Sequence, residues 1–159
     1  MVASMPTPAN TNQPEAGEIG RDTRTSSVLA RAEAAVADLA RDYAGWALRD
    51  VAKGRASLAS AMGEGNQRAA HVEALFRVAH DLKGQGSSFG FPLVTKLGHS
   101  LCALTRDRAR DYQAEHLELA KSHLDAIELV LNKGIKGEGG KVGGELVAKL
   151  ESRVAEILG

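Results

Sequence analysis

One cysteine, Cys102, is all that the 159 residues contain, so no intramolecular disulfide framework is available. A multi-cysteine zinc or iron–sulfur site is excluded with it. Aromatic residues are scarce, at 4 % of the chain, which disfavours a stacking platform for nucleic-acid bases. Neither sign of charge is in surplus, because 20 Lys and Arg balance 20 Asp and Glu. Nucleic acid and anionic membrane both demand a basic surplus, so neither is expected as the main partner. No apolar run approaches the roughly 18 residues of a membrane span, and no basic start with an apolar stretch suggests a secretory leader. A soluble, cytoplasmic chain is expected, of a length that suits one domain with a sizeable core. Proline is rare, with 4 residues, whereas glycine is abundant, with 17, so the positions of the glycines matter.

Three of the four prolines (Pro6, Pro8, Pro14) fall in the first twenty residues, which hold almost no large apolar side chain. Residues 1–25 are therefore expected to be a flexible tail, and 26–159 the folded domain. From Ser27 to Met62 alanine, leucine and arginine dominate without proline. Leu29, Ala32, Val36, Leu39, Tyr43 and Trp46 step by three and four along one helical face, and Ala47, Val51, Leu58 and Met62 continue after a slip of phase. With Gly45 and Gly54 inside, the stretch reads as one bent helix or two. A second helix is expected from about Asn66 to Ser88, closed by Gly90, and a third from Pro92 to about Thr105. Asp111 is expected to cap a fourth, with Leu117, Ala120, Leu124, Ile127 and Leu131 on its inner face. Residues 133–144 contain six glycines and read as a flexible connection before a last helix, Glu145 to Leu158. No strand alternation appears. The expectation is an all-α, up-and-down four-helix bundle with an additional N-terminal helical segment.

The chemistry sits in Val78-Ala-His-Asp-Leu-Lys-Gly-Gln-Gly-Ser-Ser-Phe-Gly90. On a wheel of about 100° per residue, His71, Val72, Leu75, Val78, Ala79, Leu82 and Gly86 share one arc, which faces the core. His80 points the opposite way, beside Phe76 and Gly84 and flanked by Glu73, Arg77, Lys83 and Ser87. A lone helical histidine is ordinarily a core or incidental surface residue. Here the phase rules out the core. Gly84 strengthens the case, because a helical glycine costs roughly 1 kcal/mol against alanine and no core contact requires this one. A missing side chain there lets another protein approach the imidazole. Gly86 faces inward and reads as a close helix approach. Lys83 is either an ordinary solvated lysine or a cation placed to neutralise a phosphoryl oxygen on His80. A neutral imidazole has one nitrogen lone pair that can attack phosphorus. With no GxxxxGK[ST] and no kinase glycine loop, the chain is expected to carry a phosphoryl group rather than to make one from ATP.

His80-Asp-Leu-Lys83-Gly84-Gln-Gly-Ser-Ser-Phe89-Gly90 resembles the signature of histidine phosphotransfer (HPt) domains of bacterial phosphorelays: His, then Lys-Gly, a small residue, an apolar residue and Gly. The resemblance implies a four-helix bundle over about Ser27 to Leu158. It implies that His80 accepts a phosphoryl group from a receiver-domain aspartate and returns it to another. The partners implied are the receiver domains of hybrid sensor kinases and of response regulators, which would supply the magnesium; no cofactor is expected in the chain itself. Lys83 would steady the phosphoryl group, and Phe76, Arg77, Gly84, Gln85 and Ser87 would form the docking patch, with Phe76 its exposed apolar anchor. The family tends to place Glu or Gln on the following helix to hold the imidazole. Here that position falls near Cys102, and His99, one turn earlier, is either its substitute or a partly buried helix residue.

Three rivals stand beside this reading. His-Asp-Leu-Lys is also similar to the phosphoacceptor box of sensor-kinase dimerisation domains, but there a polar residue and proline normally follow, and here Gly84-Gln85 do. A metal site among His71, His80, His99, His116 and His123 lacks ligand pairs at helical spacing and any HExxH. A helical scaffold, or an inhibitor that docks receivers without carrying phosphate, remains the alternative function. The balanced surface suits a carrier that works as a monomer.

Overall fold

The computed structural model describes residues 3–4, 16–63 and 65–159, with side chains described from residue 23 onward in the first helix. Five α-helices follow one another: α1 (Ala16–Met62), α2 (Arg68–Gln85), α3 (Pro92–Thr105), α4 (Ala114–Lys133) and α5 (Gly140–Leu158), with a 3-10 turn at Ser87–Phe89. Among the described residues there is no strand, so the chain is all-α, a helical bundle as its patterning predicts. Two compact units divide between Ala37 and Asp38.

In the first unit α1 begins at Ala16, inside the stretch expected to be a flexible tail. The residues before it lie, apart from 3–4, outside those described. From residue 23 to residue 37 every side chain is exposed.

The second unit holds the core, and all five helices contribute to it. Along α1 its members are Ala40, Tyr43, Ala47, Val51, Leu58 and Ala61. Of the face predicted from Leu29 to Trp46, only Tyr43 is buried; Leu29, Val36, Leu39 and Trp46 are all exposed by 49 % or more. Large side chains had drawn the predicted face, whereas the buried seam is rich in alanine and lets neighbouring helices come close. Gly54 belongs to that seam. A Cβ there would lie 3.3 Å from both Leu75 Cδ1 and Val78 Cγ1, so this glycine serves a close approach to α2 and does not break α1. Arg55 adds a polar tie to α4, donating to Asp125 at 2.7 Å and also to Glu128.

The helix starts also differ from expectation in two places. Gln113, not Asp111, is the N-cap of α4, and its backbone N–H donates to His116 Nδ1 at 3.0 Å. Tyr112 causes the delay: it is buried, and its hydroxyl donates to the Asp107 carbonyl at 2.9 Å, holding the α3–α4 connection in place. α5 starts at Gly140, inside the predicted flexible connection. The connection before it is held by Gly137 N–H donating to the Gly90 carbonyl (3.2 Å) and by Lys96 paired with Glu138 (3.1 Å). Gly143 permits the early start, because a Cβ there would come within 2.5 Å of the Glu138 carbonyl oxygen.

His123 links the middle of the bundle. It is fully buried, with Nδ1 2.7 Å from the Leu119 carbonyl and Nε2 2.8 Å from Ser100 Oγ on α3. The carbonyl must accept, so Nδ1 carries the proton and Nε2 accepts from the serine hydroxyl. Burial pushes the His123 pKa below the usual histidine range, against the pull of its bond to Leu119.

Candidate functional site

α2 places the site by dividing its residues between two faces. Val72, Leu75, Ala79 and Leu82 are buried against the core, as the wheel predicts, while His71 and Val78 are half-buried. Two glycines let α3 come up against this inner face. A Cβ on Gly98 would sit 2.8 Å from the backbone nitrogen of Lys83 and 3.1 Å from the carbonyl oxygen of Ala79. A Cβ on Gly86 would sit 2.8 Å from both the Phe91 carbonyl oxygen and the Thr95 nitrogen. Backbone therefore packs on backbone at both ends of the turn that carries His80.

Beyond Gln85 the chain tightens into the 3-10 turn and reverses. Ser87 is exposed, and its N–H donates to Thr95 Oγ1 at 2.8 Å. Phe89 stacks on Tyr43 with ring centroids 4.6 Å apart and planes 4° from parallel, so the apolar residue of the motif ties the turn to α1. Burial, with a smaller contribution from Asp50, pushes the Tyr43 hydroxyl up to about 12. Gly90 closes the turn at φ 86°, a left-handed conformation that favours glycine.

The opposite face of α2 is open. The His80 side chain is 68 % exposed. The Phe76 ring lies one turn away, 6.2 Å between centroids and tilted by 45°. Phe76 is half-buried and packs against the core, not freely exposed as expected, because α2's neighbours cover its inner edge. Beneath it a small depression is lined by Val72, Thr105 and Tyr112. Glu73 accepts from Arg77 at 3.0 Å and is ion-paired with Arg108 of the α3–α4 connection at 3.1 Å, which brings two guanidinium groups beside Phe76. Gln85 is exposed, and an added Cβ on Gly84 would meet no atom within 4 Å. Lys83 is half-buried and forms no ion pair with an acidic side chain among the described residues.

The expected partners from α3 are not brought to the imidazole. His99 is exposed, and among the described residues it makes no hydrogen bond with His80. Cys102 is buried, and burial pushes its thiol above the usual range while Lys83 and Arg106 pull it down. What does stand beside His80 is the next residue in the chain: Asp81 Oδ1 lies 3.9 Å from His80 Nδ1. Sequence adjacency was the available signal for it. The Glu73–Arg108 tie had no such signal, since it depends on how the α3–α4 connection folds back. The remaining histidines are dispersed: His71 is half-buried, and His116 and His123 are buried. Among the described residues no three His, Cys, Asp or Glu side chains are placed to hold a metal ion.

The His80 imidazole thus stands open to solvent on α2, with a bare glycine one turn beyond it and, on its flank, an ammonium that forms no ion pair with an acidic side chain among the described residues. Among the described residues no helix is long and apolar enough to cross a membrane. No curated protein and no solved structure matches the chain significantly. The family model of the Hpt domain matches residues 29–130, a span that covers α2 and α3 entirely and most of α4. The chain belongs to the Hpt domain family, the histidine phosphotransfer modules of phosphorelays.

Proposed function

We propose that His80 is the phosphoacceptor, taking a phosphoryl group from a receiver-domain aspartyl phosphate and passing it to a second receiver aspartate. The observation that carries this reading is the exposed imidazole beside a glycine whose missing side chain no packing explains. A ring nitrogen lone pair forms the N–P bond as the P–O bond to the aspartate breaks. The carboxylate leaves with the electron pair, and the proton on the other ring nitrogen stays in place. Transfer onward is the reverse step with a different carboxylate as nucleophile. Lys83 offsets charge on the phosphoryl oxygens, and Phe76, Arg77, Gln85 and Ser87 meet the receiver around the opening at Gly84. The receiver brings the magnesium ion, and the whole exchange takes place in the cytoplasm.

The test is phosphoryl transfer from a panel of labelled receivers, run beside a control with ATP alone. Wild type takes label from at least one receiver and none from ATP, while His80→Gln takes none from either. Label persisting on His80→Gln, or wild type labelled by no receiver, overturns the proposal.

A further inference from the structure

The α3–α4 connection reads Arg106-Asp-Arg-Ala-Arg110, three arginines in five residues of a chain whose net charge is zero. Its backbone is held in place. The Asp107 carbonyl accepts from the Tyr112 hydroxyl at 2.9 Å and from the Arg110 N–H at 3.2 Å, and Asp107 Oδ1 accepts from the Ala109 N–H at 3.0 Å. Arg68 of α2 donates to the Tyr112 carbonyl at 2.9 Å and ties the far end of the connection to the bundle. Arg110 is half-buried, 3.9 Å from Asp107 Oδ2, whereas Arg106 and Arg108 are exposed. Both stand on the His80 side of α2. Glu73 precedes His80 by two turns, so it shares that face about 10 Å along the axis, and Arg108 is paired with it. Arg106 and Arg108 also line the depression at Phe76, whose ring centroid is 6.2 Å from that of His80. Cations outnumber carboxylates here. Glu73 serves both Arg77 and Arg108, and Arg106 forms no ion pair with an acidic side chain among the described residues.

We propose that the α3–α4 connection is a second docking element, in which Arg106 and Arg108 receive an acidic part of the receiver's surface beside its aspartyl phosphate. The inference rests on the reading of His80 as phosphoacceptor and names what lies beyond the α2 patch. Continuity places it there, because Phe76 belongs both to that patch and to the depression the two arginines line. Charge selects the occupant. A guanidinium presents a planar fork that matches a carboxylate, and the incoming phosphoryl group is itself an anion. About 10 Å is one Debye length at 0.1 M salt, so these cations draw the partner toward His80 before contact is made. The hydrogen bonds at Asp107 and Tyr112 hold the connection ready, which spares the encounter the entropy of ordering a loose loop.

The probe is whichever receiver labels wild type fastest. Its second-order rate of transfer is followed from about 20 mM to about 300 mM salt, a range over which the Debye length shrinks severalfold. Wild type is expected to slow by about tenfold across it. Arg106→Glu with Arg108→Glu starts about tenfold slower than wild type at low salt and is nearly indifferent to added salt. Arg106→Lys with Arg108→Lys keeps the charge, and with it most of the rate and its salt dependence. Labelling by a small phosphoramidate donor and the helical signal stay unchanged in both variants, because neither involves docking. A glutamate variant that transfers like wild type, or a wild type indifferent to salt, overturns this inference and leaves the phosphoacceptor reading standing. Loss of phosphoramidate labelling in the glutamate variant also overturns it, since the arginines would then act at His80 itself. Wild type labelled by no receiver removes the phosphoacceptor reading, and this inference falls with it.

Discussion

Gly84→Ala separates folding from docking in one methyl group. Gly84 lies in ordinary helical backbone at the end of α2, and a Cβ there would meet no atom of its own chain within 4 Å. Alanine therefore introduces no clash and no strain. It removes the conformational freedom that glycine gives the unfolded chain, a gain of about 0.4–1 kcal/mol. In a chain of this length that raises Tm by about 1–4 °C. Most substitutions destabilise, so a stabilising one at a position occupied by glycine implies that something other than stability holds the glycine there. The same methyl group stands one turn from the His80 imidazole, on the path of approach that the proposed docking of a receiver requires. Transfer from the receiver is expected to fall about tenfold, equivalent to about 1.4 kcal/mol of lost docking complementarity, and further with Gly84→Leu. Thermal melting measures the first effect. The second is measured by comparing labelling from a phosphorylated receiver with labelling from a small phosphoramidate donor, which reaches His80 without docking. A variant that melts higher, takes phosphate normally from the small donor and poorly from the receiver bears out the reasoning. Unimpaired receiver transfer in Gly84→Leu refutes it.

Gly98→Ala is the converse case: its methyl group would press on the backbone of Lys83 and Ala79, so we expect a loss of about 1–3 kcal/mol in urea unfolding. An unchanged urea midpoint would show that α2 and α3 separate at no cost. Phe76→Ala should cost roughly 1–2 kcal/mol, less than a fully buried phenylalanine because the ring is half-buried, with helical signal kept at 25 °C and receiver transfer weakened. A variant with normal transfer would remove Phe76 from the docking patch. Stability should also depend on His123. Its folded pKa lies below the unfolded value near 6.5, so the unfolded chain binds the proton first; the contribution is complete above about pH 6.5 and is lost as pH falls toward the lower folded value. Urea midpoints between pH 7.5 and 5.5 should fall in wild type and fall less in His123→Asn, and identical slopes would contradict this assignment.

Helix α3 was legible to the residue, because Pro92 and the turn before it punctuate the chain unambiguously and Leu93, Val94, Leu97 and Leu101 follow in phase. The inner arc of α2 was equally plain, and with it the outward direction of His80. The inner face of α1 was not. Its buried positions are largely alanine, which periodicity weighs lightly, while the large aliphatics that catch the eye belong to an exposed stripe. Phe76 was misjudged for a related reason: a wheel assigns direction on one helix and contains nothing of how far the neighbouring elements reach around it. Phe89 and the Glu73–Arg108 tie needed contacts between residues 46 and 35 positions apart, Tyr43 with Phe89 and Glu73 with Arg108, which no local pattern encodes. The family pattern points to a neighbour for the imidazole on another helix, at His99 or Cys102, whereas the carboxylate beside it belongs to the following residue, Asp81.

The two faces of α2 answer to different constraints. Leu75, Ala79 and Leu82 cannot change without disturbing the core, and Gly98 holds the opposing backbone against them. Arg77, Gln85 and Ser87 are exposed on the other side and take no part in the core. With receivers docking on the open face as proposed, duplicated copies of such a chain can diverge in whom they recognise by surface substitutions alone, each keeping an intact scaffold. Insulation between parallel signalling routes is then acquired without a detour through misfolded intermediates.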